Sequence, residues 1–470
     1  MEAKTRSRGN IFTVPVLGQI LLYAPLHNFA ALLNPSSIPP LKKALLSQES
    51  TGIAPLDEIL DRLSATASPP PVARAGAFAP RFLGLLPTRA CNLTCKYCAF
   101  QNGRQGPQFM DIRLACRAID WYIDLIGRAG QERLEIHYFG GEPFCAEELI
   151  DLSFHYAKMR AGALGYATHF EAATNGAFGE SRCRWIADNF DTIVLSLDGP
   201  PEVHDHHRRR KDGRKMSGLI ARNARILSEG PVKLCIRACV TESTVARLEA
   251  FAAWFCRMFR PQAVCFEPLQ ATPQAIAAGL SPPDPWRFAS NFIRAAHILK
   301  EYGVEAMYAT ADIRTRQVTF CPVGRDVAIV SPDGAVNACY LLDRDWQAKG
   351  LDMRLGAVRP KGPVVLERAA VESIRRLNVL NKPACEGCFC KWHCAGGCHV
   401  NNTLPATPGP YNRLCIQTRL ITLHNILETM GQEGLMDRLL SSPAARERLM
   451  QPHSDAIQDE IEDEHRCPSS

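Results

Sequence analysis

Cys91-Asn92-Leu93-Thr94-Cys95-Lys96-Tyr97-Cys98 is the stretch on which the reading of this chain turns. It sets three thiols at CxxxCxxC spacing, directly after a short apolar run at 82–86 that reads as a strand. Three thiolates are one short of the four that close a cubane 4Fe–4S cluster. The iron left without a protein ligand is open to a small chelating molecule, just as a catalytic zinc keeps one position open. Taken alone, the spacing also suits zinc.

Outward from this motif, short apolar runs alternate with longer amphipathic ones. Strands are expected at 82–86, 134–139, 168–173, 192–197, 234–240 and 264–268. Helices are expected at 112–126, 146–161, 181–189, 217–228, 244–259 and 286–301. Alternation of this kind means parallel strands joined by crossover helices. Six such units make an α/β fold with an incomplete (β/α)6 barrel rather than a closed eightfold one. Chemistry in such sheets sits at the carboxyl ends of the strands.

The other polar segments fall at those ends. Gly140-Gly141-Glu142-Pro143 follows the second strand, Thr174-Asn175-Gly176 ends the third, and Ser196-Leu197-Asp198-Gly199 ends the fourth. Each alone is an ordinary turn sequence. In this order, with CxxxCxxC and the aromatic Tyr97 before its third cysteine, they resemble the radical S-adenosylmethionine (SAM) superfamily over residues 81–301. The resemblance implies a 4Fe–4S cluster on Cys91, Cys95 and Cys98 with SAM at its open iron. It also implies SAM contacts from Gly140, Gly141, Glu142 and Pro143 toward the amino group, from Thr174 and Asn175, and from Ser196 and Asp198 toward the ribose. Two glycines let backbone approach a ligand, and Glu142 offers a carboxylate to an ammonium. Arg237, on the fifth strand, is the expected partner of the SAM carboxylate because guanidinium binds carboxylate two-pronged; a structural ion pair is the alternative.

A second cysteine pattern lies toward the C-terminus: Cys321-x12-Gly334-x4-Cys339, then Cys385-x2-Cys388-x5-Cys394-x3-Cys398, then Cys415. It resembles the SPASM extension, which holds two auxiliary 4Fe–4S clusters. Carried over, Cys321, Cys339 and Cys398 bind the nearer cluster, and Cys385, Cys388, Cys394 and Cys415 the distal one. Seven thiolates leave one iron of the nearer cluster open; Cys390 is spare and close by in sequence. The competing reading is a zinc-ribbon-like site on Cys385, Cys388, Cys394 and Cys398. The remaining cysteines, among them Cys116, Cys145, Cys183, Cys235, Cys239, Cys256 and Cys265, sit in apolar patterns and read as small buried hydrophobes.

Four regions are expected: an N-terminal α+β module at 1–80, the partial barrel at 81–305, the cysteine-rich SPASM domain at 306–430, and a helix with an acidic tail at 431–470. The module shows strand-like runs at 11–14 and 19–24, then helices at 41–47 and 56–63, then a Pro/Ala-rich linker. A hairpin at 327–331 and 335–340 turns on Pro332-Asp333-Gly334, and a helix is expected at 420–430. A net charge of +6 on 54 basic and 48 acidic residues is too slight to argue for nucleic acid. The basic run His206–Lys215 reads as a solvated loop. No apolar run reaches the ~20 residues of a membrane span, and no convincing signal peptide opens the chain. Nineteen cysteines at short spacings therefore point to metal in a reducing, cytoplasmic setting.

The resemblance implies an oxidoreductase acting on a peptide or protein: SAM cleavage gives a 5′-deoxyadenosyl radical that abstracts hydrogen, and the auxiliary clusters take up the surplus electron. A low-potential donor such as flavodoxin or ferredoxin is the expected partner. The favoured reading is a maturase that crosslinks a ribosomally made precursor peptide, with residues 1–80 binding its leader. One alternative is an anaerobic sulfatase-maturing, formylglycine-generating enzyme. That class places an Asp, its supposed base, directly after the second array cysteine, where this chain has Tyr340, here read as a proton or electron relay. The other alternative is a non-catalytic iron–sulfur electron carrier or scaffold, which needs neither the GGEP segment nor an open three-cysteine site.

Overall fold

The computed structural model describes residues 10–65, 67–101, 109–359, 361–402 and 411–450. They divide into two compact units. One gathers the described residues of Met1–Ala73, Ala309–Phe320 and Asn378–Ser470; the other holds those of Arg74–Tyr308 and Cys321–Leu377.

The chain opens with an antiparallel meander, β1 (Phe12–Val16), β2 (Gln19–Ala24) and β3 (Phe29–Leu33). Leu17 and Gly18 both take positive φ between the first two strands, the geometry that matches a hairpin to strand twist. Helices α1 (Ile38–Ser47) and α2 (Ala54–Ser64) follow. Leu41, Leu45 and Leu63 pack from them onto Ile11, Leu22 and Ala24. Strand β3 was not expected from its sequence, Phe-Ala-Ala-Leu-Leu, which has no two-residue alternation.

The second unit is built on one sheet of eleven strands. It contains β4 (Leu83–Leu85), β5 (Arg133–Tyr138), β6 (Ala167–Thr174), β7 (Thr192–Ser196), β8 (Lys233–Val240), β9 (Ala263–Pro268) and β10 (Glu305–Met307). All are parallel and lie side by side in chain order. Between them run α3 (Ile112–Arg128), α4 (Glu147–Leu164), α5 (Glu180–Asn189), α6 (Pro201–His207), α7 (Ser217–Glu229), α8 (Leu248–Met258) and α9 (Pro285–Glu301). The expected six-strand α/β run is present and is longer. Beyond β10 at one end, β11 (Ala328–Val330) joins β4 in parallel at the other, and the antiparallel β12 (Ala335–Asn337), β13 (Arg354–Ala357) and β14 (Val365–Leu366) extend the sheet.

Local chemistry sets the helix starts. Asp111 accepts from Arg113 N to open α3, and Asp284 accepts from Trp286 N and Arg287 N ahead of Pro285 to open α9, each cap contributing about 1 kcal/mol. Along β5 and β8, alternate residues bury against the helices: Leu134, Ile136, Tyr138, Leu234, Ile236 and Ala238. Each large one contributes roughly 1.5–3 kcal/mol. The opposite positions make an inner face, and the strand ends above it carry the polar segments.

After β14 the chain returns to the first unit. The cysteine-rich turns at 385–398 lead to α10 (Arg413–Thr429), α11 (Gly434–Ser441) and α12 (Pro443–Leu449), the last packed on β1. Leu26 shares an apolar cluster with Val318, Val379, Cys385, Trp392 and Ala395. Trp392 Nε1 donates to Asn10 Oδ1 at 2.6 Å, and Tyr23 Oη meets His393 Nε2 at 2.6 Å. The N-terminal strands thus pack directly against the cysteine-rich turns. The acidic stretch 455–464 and Cys467 lie outside the described residues.

Candidate functional site

From the end of β4 the chain enters the cysteine loop. Cys95 is buried, and Cys91 and Cys98 are half-buried. Leu93 N lies 3.4 Å from Cys91 Sγ and Asn175 Nδ2 lies 3.7 Å from it. Asn175 also donates to Asn92 Oδ1 at 2.9 Å, which ties the end of β6 to the cysteine loop. Burial pushes the Cys95 thiol up, Arg208 pulls it back, and Cys98 and Cys91 add to the rise. Among the described residues no three cysteine sulfurs lie within 4.8 Å of one another, whereas thiolates held ~2.3 Å from a single zinc stand about 3.8 Å apart. N–H donors turned on a thiol are what a metal-bound thiolate requires.

Behind the loop lies a buried charge network that the sequence did not announce. Asp198, fully buried, accepts from Tyr97 Oη at 2.6 Å, Arg208 Nε at 3.2 Å and Cys239 N at 3.2 Å, and His207 Nδ1 stands 3.2 Å away. Burial raises the Asp198 carboxyl, but Arg208 and His207 outweigh it and hold the group well below the usual carboxylate range. The Arg208 guanidinium also stands 5.3 Å over the Tyr97 ring. Main-chain bonds complete the clamp: Thr94 N donates to Arg209 O and Lys96 N to His207 O. The basic run His206–Lys215 is thus not simply a solvated loop. Its outer residues are exposed, but His207 and Arg208 turn inward because buried Asp198 needs a cation. The expected ribose partner Asp198 is occupied in this network. Ser196, half-buried and level with Arg237 in the sheet, is the other side chain of that segment named for the ribose.

Gly140 and Gly141 serve the chain as well as any ligand. A Cβ on Gly140 would strike the carbonyl oxygen of Thr88, and one on Gly141 that of Ala90, while Gly141 N and Glu142 N donate to those same oxygens. The glycines let the end of β5 lie flat against residues 88–90, just before Cys91. Glu142 is buried above Pro143. Its Oε1 accepts from Thr174 Oγ1 at 2.7 Å and from Phe144 N at 3.2 Å, and its Oε2 accepts from Asn175 N at 2.7 Å. Burial pushes Glu142 up to about 7 against those donors. Glu142, Thr174 and Asn175 are therefore brought together as one hydrogen-bonded group beside the cysteine loop.

On the inner face, Arg237 pairs with Glu267 of β9, the ion-pair alternative noted for it. Cys235, Cys239 and Cys265 are not the buried hydrophobes expected. They alternate with the core residues of β8 and β9 and stand half-buried on the inner side. Cys116, Cys145 and Cys256 are half-buried too, and Cys183 is buried as expected. Tyr340 packs on Phe139 with ring centroids 4.5 Å apart. Its hydroxyl lies 2.7 Å from where a Gly84 Cβ would sit, so only glycine leaves it room. Burial of that hydroxyl, with Glu171 and Cys339 nearby, raises it above the usual phenol range.

Cys321 lies in the loop before β11 and Cys339 just after β12, in the second unit; Cys398 belongs to the first. Cys385, Cys388, Cys394 and Cys415 converge in the first unit, each thiol in electrostatic reach of the others. Lys382 donates to Gly396 O at 2.7 Å. Burial pulls this lysine down, and the thiols of Cys385, Cys394, Cys398 and Cys415 push it up. Cys390, the spare thiol, is fully buried beside Cys388. A hydrogen bond from Cys390 pulls Cys388 below the ordinary thiol range; burial opposes this and Arg419 assists it.

Residues 85–234 match the family model of the radical SAM superfamily. A serine-type anaerobic sulfatase-maturating enzyme of Klebsiella aerogenes is 27% identical over 346 residues, 69% of this chain and 80% of that protein. A cysteine-type anaerobic sulfatase-maturating enzyme of Clostridium perfringens is 22% identical over 333 residues, 66% of this chain and 85% of that one. Native anSMEcpe with bound AdoMet and Cp18Cys peptide matches the fold at a TM-score of 0.60 and 18% identity, over 75% of this chain and 98% of that chain. A histidine-tagged form of anSMEcpe with bound AdoMet gives 0.59 and 19%, over 80% and 100%. The open cysteine triad, the polar strand ends beside it and the match across the strands that carry them lead to one assignment: residues 85–234 form a radical SAM domain.

Proposed function

We propose that this chain is a peptide maturase, which removes a hydrogen atom from a peptide or protein segment at the carboxyl edge of the sheet and oxidises that segment to form a crosslink. Cys91, Cys95 and Cys98 would hold a 4Fe–4S cluster, whose chemistry when bound would be reductive SAM cleavage to a hydrogen-abstracting radical. The chain's own part is to hold and orient. Gly140, Gly141 and Pro143 set the loop, while Glu142, Thr174 and Asn175 form the polar group that would meet SAM beside it. Ser196 and Arg237, level with each other in the sheet, would meet its ribose and carboxylate, Arg237 by leaving its pair with Glu267. Tight orientation of the reacting groups and exclusion of water account for the protein's share of the barrier.

Product formation after hydrogen removal requires the loss of one further electron and a proton. The C-terminal array, with Cys321, Cys339 and Cys398 on one auxiliary cluster and Cys385, Cys388, Cys394 and Cys415 on another, would take the electron. A low-potential donor such as flavodoxin or ferredoxin would resupply the first site. The meander β1–β3 with α1 and α2 would dock the leader of a precursor peptide, its strands already braced against the cysteine-rich turns.

The observation that carries crosslinking over formylglycine formation is Tyr340, an aromatic hydroxyl on Phe139 where sulfatase maturases place a carboxylate base. The relatives favour a second reading, since the curated proteins named above are sulfatase-maturating enzymes. Mass spectrometry separates the two. The reconstituted enzyme is given SAM, dithionite and either precursor peptides encoded nearby or serine and cysteine peptides of sulfatase type. A peptide that loses two hydrogens and does not react with a hydrazide supports crosslinking. A hydrazide-reactive aldehyde supports formylglycine formation, and 5′-deoxyadenosine release with no peptide altered contradicts both. Tyr340→Phe is expected to keep SAM cleavage and lose peptide product.

A further inference from the structure

Arg419 lies one helical turn beyond Cys415 on α10, with 1% of its surface exposed. Its Nη1 donates to Cys388 Sγ at 3.4 Å and its Nη2 to Leu449 O at 2.7 Å. The guanidinium stands 4.7 Å from the centre of the Phe389 ring and 4.2 Å from that of Tyr411. Its Nε–H is buried and has no hydrogen-bond acceptor among the described residues. No carboxylate of the described residues lies in ion-pair range of it, and the groups that favour its charge are Cys388, Tyr411 and Cys390.

A guanidinium keeps its proton at any accessible pH. Burying it without an anion costs several kcal/mol. Two aromatic faces and one carbonyl offset part of that cost, but the anion must come from the thiol side. A site of four thiolates carrying iron and sulfide supplies one, and also supplies an acceptor for the idle Nε–H. Seen from the metal, a fixed cation and an N–H···S bond at one ligand both stabilise the more negative, reduced state and so raise the reduction potential.

We propose that Arg419 is the charge-setting residue of the distal cysteine array, a positioning residue that holds the reduction potential of the group bound by Cys385, Cys388, Cys394 and Cys415 above the value those thiolates would give alone. The inference rests on the auxiliary-cluster reading given above. It also accounts for the Phe389 and Tyr411 rings, which hold the guanidinium in register with Cys388 and away from water.

The test uses the full-length chain with Cys91, Cys95 and Cys98 replaced by alanine, so that only the C-terminal array binds iron. Arg419, R419K and R419Q forms are reconstituted without oxygen. Iron, sulfide and zinc are counted, and a redox titration follows the paramagnetic signal that disappears in C385A. The expected result is that R419Q keeps its iron but reduces at a more negative potential, with R419K near the parent value. R419Q losing the distal iron while R419K keeps it at the parent potential also supports the charge role. Identical behaviour of R419K and R419Q, both unshifted or both stripped, overturns the inference and leaves the cluster reading standing. Zinc in place of iron, or no metal at all, in the Arg419 form overturns the cluster reading and the inference with it.

Discussion

Asp198 shows how one carboxylate organises a site it need not touch. It is fully buried and gathers Tyr97, His207 and Arg208 behind the cysteine loop. Removing one charge of a buried pair typically costs 3–5 kcal/mol. Asp198→Asn is therefore expected to destabilise the metal-free chain by about 3 kcal/mol, read from denaturant midpoints of the second unit. Glu142 makes a pH prediction. Burial raises its carboxyl from 4.5 to about 7 in the folded chain, so the folded state holds a proton there that the unfolded state gives up. That contribution is complete below about pH 4.5 and is lost as pH rises through about 7, up to about 3 kcal/mol in all. Glu142→Gln should flatten this part of the stability–pH curve of the SAM-free, metal-free chain, and an unchanged slope would show that Glu142 is not its source. Neither role was legible in the sequence. A lone Asp or Glu in a turn motif does not say whether it faces a ligand or its own chain, and the partners of Asp198, His207 and Arg208, sit in a run whose other members are exposed.

At the scale of elements the sequence was far more informative. Strands β4–β9 and helices α3–α5 and α7–α9 appear within a few residues of where alternation and helical periodicity put them, because each strand buries one face against helices and each helix buries a stripe, whereas the short α6 was not expected. Strand β3 escaped because its Ala-Ala pair breaks the alternation. The inner-face cysteines were misjudged because a cysteine beside leucine looks apolar on either side of a strand; only the paired strands show that Cys235 and Cys265 stand opposite the core face. The GGEP turn was placed correctly, but its glycines answer to the carbonyls of residues 88–90. Gly141→Ala tests this, since its methyl would strike the Ala90 carbonyl and lie 2.7 Å from that of Arg89, both backbone atoms that precede Cys91. The variant is expected to keep its far-ultraviolet circular dichroism, to lose the iron that depends on Cys91, Cys95 and Cys98, and to cleave no SAM. Full iron at that site in the alanine variant would contradict the account.

For the whole molecule, the division into units could not be seen in a linear reading. The N-terminal segment, 370 to 382 residues away in sequence, packs against the turns that carry Cys385–Cys398, through Trp392 with Asn10 and His393 with Tyr23. Contacts of such long separation leave no local signature, whereas the cysteine spacings are local and were read in full. No helix among the described residues is long and apolar enough to cross a membrane. One unit carries the cysteine loop and the parallel sheet, and the other carries the cysteine-rich turns together with the N-terminal strands that pack on them. The measurement that bears most directly on this account is anaerobic reconstitution of the full chain, followed by SAM, dithionite and assay of 5′-deoxyadenosine beside an iron count. The account predicts 5′-deoxyadenosine from the parent chain, with roughly twelve irons for three cubanes, and none from the variant with Cys91, Cys95 and Cys98 replaced by alanine. A fully loaded parent chain that releases no 5′-deoxyadenosine, or a triple variant that still does, would contradict it.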